Sequence, residues 1–191
     1  MSRQNKKSYI AKIVSVLALV VFAIVIIKST VYSPEISVKS ATTVINAPSR
    51  LAVPSLDIDA KVQKVGITLK GNMATPNNFV DVGWYEYGPL PGQLGSAVIA
   101  GHVNNGLAFP AVFSNLKNIE TGADIYVETL GKNTLHFVVV GTKVYDFDAK
   151  ADEVFKQDDG KFLKLITCTG TWSDQYKTHD KRLVVTAMLV E

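Results

Sequence analysis

A chain of 191 residues holds one domain with a well-buried core and is short for two. Its formal charge of +3 misleads, because Arg3, Lys6, Lys7, Lys12 and Lys28 precede every acidic residue and leave 15 basic against 17 acidic residues after Ser29. That balance advertises no basic face for nucleic acid, and a single cysteine excludes an internal disulfide.

Residues 1–8 form a short basic tail. Residues 9–28 are mostly apolar, interrupted by Lys12 and Ser15 and closed by Lys28. A helix over such a run of about 18 residues just spans a bilayer, with Lys12 and Lys28 reaching its two interfaces. The expectation is an uncleaved, single-pass anchor in the cell membrane with the tail in the cytoplasm and the remainder outside. A cleaved secretory signal competes with it, although no small-x-small site directly follows the run. Residues 29–48, rich in Ser, Thr and Val, read as a tether, and residues 49–191 as the folded domain. In an exported chain a lone thiol is either deeply buried or used.

From Leu51 the pattern turns to strands. Residues 51–54 and 56–62 alternate in polarity, and Pro54 between them marks an edge or a bend. Residues 80–85 give another short strand, ended by Gly88-Pro89-Leu90-Pro91-Gly92, which cannot continue a ladder. Residues 96–101 form a strand of small residues that delivers His102 to its end. Phe109, Val112, Phe113 and Leu116 have the spacing of one face of a short helix. Two clear strands follow at 125–130 and 134–145, then an acidic loop with a helical turn at 148–160. The strand 163–168 ends in Cys168, a long loop covers 169–181, and the last strand follows Arg182. About eight strands with one or two short helices predict a closed or nearly closed mixed β-barrel, preceded by the membrane helix.

Cys168, His102 and Arg182 each stand at a strand edge. If they converge, imidazolium and guanidinium favour the thiolate, which attacks a carbonyl, and His102 protonates the departing amine. Arg182 either donates to the oxyanion or holds the substrate backbone, and Thr167 and Thr169 flank the nucleophile as candidate oxyanion or substrate contacts. Each residue also has an ordinary reading: core filling for the cysteine, a solvated loop for the histidine and an edge charge for the arginine. Their joint placement favours an enzyme. His179 is the alternative base and His136 a strand residue facing outward. Trp172, Trp84 and Tyr176 are either cleft-lining or simple anchors. No cofactor is implied and no residues have metal-ligand spacing. Asp146, Asp148, Asp152 and Glu153 are chemically admissible calcium ligands, but they match no loop of fixed ligand spacing and read as a solvated acidic loop.

Ala100-Gly101-His102, Leu165-Ile166-Thr167-Cys168-Thr169-Gly170 and Arg182 with Leu183-Val184-Val185 together resemble the sortases, membrane-anchored cysteine transpeptidases of mainly Gram-positive bacteria. The resemblance covers roughly residues 48–191. It implies an eight-stranded sortase barrel with Cys168 as nucleophile beside His102 and Arg182. It further implies cleavage of surface proteins at a Leu-Pro-x-Thr-Gly-like sorting signal between Thr and Gly. The resulting Cys thioester passes to an amine of a peptidoglycan precursor or a pilin. The Gly83-Trp84 region, the 89–92 loop and Ala111-Val112-Phe113 look like class F members, which commonly carry Thr-Cys-Gly-Gly where this chain has Thr167-Cys168-Thr169-Gly170. A cysteine peptidase that hydrolyses the thioester and a non-catalytic β-domain that binds a partner are the alternatives.

Overall fold

The computed structural model describes residues 46–190. Eight strands close into a barrel in the order β1-β2-β3-β4-β7-β8-β6-β5. They are β1 (Pro48–Val53), β2 (Ile58–Val65), β3 (Val82–Tyr85), β4 (Gly95–Ala100), β5 (Asp124–Thr129), β6 (Thr134–Asp146), β7 (Lys161–Ser173) and β8 (Thr178–Leu189). Most neighbours run antiparallel; β2–β3 and β4–β7 are parallel. Alternation along the strands fills the barrel with one face of each, among them Leu51, Ile99, Phe137, Leu163, Leu165 and Val185, all fully buried.

One α-helix is present among the described residues, α1 (Asp152–Lys156), inside the segment expected to hold a helical turn. It packs against β4. The expected helix over residues 109–116 is absent; turns lead instead into a 3-10 turn at Leu116–Asn118. Phe113 N–H, which such a helix would direct to Phe109 O, donates to His102 O instead, while Ala111 and Val112 donate to Val103 O and Phe79 O. Burying Phe113 and Leu116 completely won over local helix closure. The expected long loop over 169–181 is mostly a hairpin, because β7 continues to Ser173 and β8 starts at Thr178 across a register shift after Thr169. Gly170, at φ 78°, supplies the left-handed backbone that this irregularity requires.

The membrane-spanning helix has no counterpart here. Among the described residues no helix is long and apolar enough to cross a membrane. The five residues of α1 extend about 7.5 Å against a hydrocarbon core of about 30 Å. Residues 9–28, on which the expectation fell, lie outside the described residues. The architecture is therefore corrected to an eight-stranded mixed barrel with one short helix, and the transmembrane helix and single-pass membrane placement are withdrawn with it.

Gly101 shows how tightly the barrel end beside His102 is packed. A Cβ there would stand 2.5 Å from Phe113 Cδ2, on a ring with no exposed surface. Gly101→Ala is therefore expected to cost about 1–3 kcal/mol by overpacking, read as a lower urea midpoint at unchanged m-value.

Candidate active site

The register of three adjacent strands assembles the site. β4 and β7 run parallel with Ala100 beside Ile166, so His102 and Cys168 each lie two residues beyond a paired position and leave the barrel at the same end. Gly101 N–H donates to Ile166 O (3.0 Å), and the buried Thr167 hydroxyl donates to Gly101 O (2.9 Å), carrying the alignment past the last rung of β4. On the other side of β7, Cys168 is the direct antiparallel partner of Arg182. Partners across a ladder share a face, so thiol and guanidinium emerge on the same side. All three residues are half-buried and line one cleft of about 1050 Å³.

Arg182 is held by its own strand. Its Nη1 donates to His179 O and Lys181 O, and its Nη2 to Thr178 Oγ1, each at 2.8 Å. These bonds use three of the five guanidinium N–H groups and leave two for a ligand. His102 Nε2 lies 3.1 Å from Pro76 O, and Phe79 sits against the imidazole with ring centroids 5.1 Å apart.

The other sequence candidates divide. Thr167 spends its hydroxyl on Gly101 O, and thereby fixes the strand end that carries His102. Thr169 opposes Lys181 and is not among the residues that line the cleft. Trp172 lines it, half exposed, with Nε1 donating to Asp174 Oδ1 and its ring edge-on to His179. Trp84 belongs to the core and donates to Pro89 O, while Tyr176 packs on Phe147. His179 is engaged at both nitrogens, Nδ1 with Gly170 O (3.3 Å) and Nε2 with the Asn104 amide (3.4 Å), so it ties the β7–β8 hairpin to the loop after His102. His136 pairs with Asp124 on the β5–β6 ladder, away from the cleft. In the acidic segment, Asp146 pairs with Lys181, Asp152 with Lys156 and Glu153 with Lys143. Among the described residues no three His, Cys, Asp or Glu side chains gather as a metal site.

Sequence reasoning missed Pro76, Phe79 and Asn104 next to the histidines, and Tyr85, Val154 and Phe155 along the cleft. The Asn-rich stretches at 77–78 and 104–105 were the available signal, since asparagine in a loop marks tight turns with defined geometry.

The sortase-domain family model matches residues 51–190. The chain belongs to the sortase family. Among solved structures, sortase C-1 from Actinomyces oris aligns at 25% identity with a TM-score of 0.59, covering 74% of this chain and 73% of that one. The Group B Streptococcus pilus island 1 sortase C2 aligns at 24% identity and a TM-score of 0.56, with the same coverage. A lid mutant of sortase A from Corynebacterium diphtheriae aligns at 22% and 0.59, over 76% of this chain and 70% of that one. No curated protein matches the chain. Membership of the sortases supports cysteine-transpeptidase-type chemistry and cell-wall substrates in general.

Behind Cys168, on the same face of β7, Lys164 is buried, with Nζ 2.7 Å from Gln157 Oε1 and 3.1 Å from Thr186 Oγ1. Burial pushes its ammonium below the usual lysine range. A folded-state value below the unfolded one means that the unfolded chain binds the extra proton, so this group's contribution to stability rises with pH up to the unfolded lysine range. Comparing urea unfolding of wild type with Lys164→Met between pH 7 and 10 is expected to favour wild type increasingly as the pH climbs.

Proposed function

We propose that the chain is a cysteine transpeptidase that cleaves a Leu-Pro-x-Thr-Gly-like sorting signal between Thr and Gly and hands the threonyl group to an amine. The observation that carries this is the convergence of His102, two residues past the end of β4, with Cys168 on β7 and its partner Arg182 on β8 in front of one cleft.

His102 takes the proton from the Cys168 thiol, and the sulfur attacks the threonine carbonyl carbon. The two free N–H groups of Arg182 stabilise the oxyanion or grip the peptide backbone beside it. Collapse of the tetrahedral species breaks the Thr–Gly bond, His102 gives its proton to the departing glycine amine, and a thioester remains on Cys168. An incoming amine from a peptidoglycan precursor or a pilin then repeats these steps in reverse. The cleft is also lined by Tyr85, Val154, Phe155, Ile166 and Val184, apolar groups suited to the Leu-Pro end of such a signal. The class F reading rests on the Gly83-Trp84 region, the 89–92 loop and residues 111–113, with Thr169 as its departure. Residues 1–8, 9–28, 29–48 and 49–191 remain the segments we assign as tail, apolar run, tether and catalytic domain.

The deciding experiment incubates the full chain with a Leu-Pro-x-Thr-Gly peptide, with and without an amine acceptor, followed by intact-protein and product mass spectrometry. An acyl adduct on Cys168 that is absent in Cys168→Ala and resolves to an amide is expected. Only hydrolysed product, at any amine concentration, would establish the peptidase instead. Arg182→Lys keeps the charge but loses the planar fork, and is expected to lower kcat/KM by about 10²–10³, the scale of losing an oxyanion donor; near-wild-type turnover would remove Arg182 from this role.

A further inference from the structure

A histidine that shuttles protons needs one nitrogen committed and the other free. In His102 the commitment is to a main-chain carbonyl: Pro76 O can only accept, so Nε2 must carry the hydrogen. The neutral ring then has its lone pair on Nδ1.

The segment that presents this carbonyl is held rigidly. Gln63, on β2 directly beside Gly83, accepts at Oε1 from Asn77 N–H (3.1 Å) and donates from Nε2 to Asn77 Oδ1 (2.8 Å) and to Asp81 Oδ2 (2.9 Å). Asn78 closes the same turn. Its Nδ2 donates to Asp81 Oδ2 (2.8 Å), and its Oδ1 accepts from Val80 and Asp81 N–H at 3.0 and 2.8 Å. Bonds from the two amides hold the Asp81 carboxyl below its usual range, consistent with a carboxylate that accepts throughout the network. Pro76 itself is buried over Gly83, where a Cβ would come within 3.3 Å of its Cδ. Adjacent N–H groups of one segment tie both partners together, Val112 donating to Phe79 O and Phe113 to His102 O, each at 2.9 Å. Ring, carbonyl and turn therefore form one unit fixed to β2 at one end and to the buried Phe113 at the other.

Building on the transpeptidase reading, we propose that residues 76–81 are a positioning device for His102, in which Gln63 and Asn77 aim the Pro76 carbonyl at Nε2 and leave Nδ1 as the nitrogen that exchanges protons with Cys168 and the leaving amine. Nδ1 accepts the thiol proton, both nitrogens carry hydrogen while the thioester forms, and Nδ1 releases its proton to the amine. The Nε2–H bond to Pro76 persists through the cycle, so the ring does not rotate between the two transfers.

The test uses the full chain labelled with ¹⁵N-histidine, its three histidines distinguished by loss of the His102 signals in His102→Asn. Above the titration of the ring, wild type is expected to show His102 protonated at Nε2, with an Nε2–H proton slow enough in exchange to be observed directly. Gln63→Ala and Asn77→Ala are expected to bring that proton into fast exchange and to lower kcat about tenfold, a fraction of what general acid–base catalysis supplies, with KM within about twofold and the near-ultraviolet circular dichroism retained. An Nδ1–H ring in wild type, or an Nε2–H proton and kcat unchanged in both variants, would overturn the proposal. Should Cys168 acylate no sorting-signal peptide, the transpeptidase reading fails alone, because the tautomer and the exchange of Nε2–H are read without turnover.

Discussion

Two hydrogen bonds at the open end of the β4–β7 pairing, Gly101 N–H to Ile166 O and the Thr167 hydroxyl to Gly101 O, decide where His102 stands. Parallel strands leave a sheet in the same direction, so residues equally far past a paired rung emerge side by side. Ala100 beside Ile166 therefore implies His102 beside Cys168, and antiparallel pairing of β7 with β8 adds Arg182 on the far side. The close packing needed for this explains the glycine that follows β4. Gly101 has no side chain because Phe113 occupies the space a Cβ would need, and Phe113 is in turn the residue whose N–H caps His102 O.

Period-two alternation and the turn residues between apolar runs made the barrel legible in the sequence, since each strand has one face in a core that excludes polar side chains. The same logic brought out Cys168, His102 and Arg182, three reactive side chains where apolar runs stop. What the sequence concealed depends on long-range pairing. The 169–181 stretch is polar and carries Gly170, so it reads as a loop, yet Trp172 pairs with His179 and Ser173 with Thr178 in a hairpin whose two faces are both largely solvated. Residues 109–116 have a helical spacing of apolar side chains, but their N–H groups are drawn to Phe79, His102 and Val103, partners that only the closed fold supplies. Pro76 was hidden for a simpler reason: its contribution is a carbonyl oxygen, which every residue has.

Arg182 and the two histidines of the cleft are held without a carboxylate. Arg182 is held by two backbone carbonyls and a hydroxyl, His102 by one carbonyl and His179 by a carbonyl and an amide. Asp146, the carboxylate that lines the cleft, is spent on Lys181. A carboxylate would have fixed Arg182 at least as firmly, but would also have cancelled much of the positive field that the proposed thiolate or oxyanion would need. Carbonyl dipoles fix direction while leaving the net charge intact. In the proposed reaction, positioning by main-chain oxygen would reconcile two demands, rigid side chains and a positive charge on Arg182 that no carboxylate cancels where negative charge is to develop.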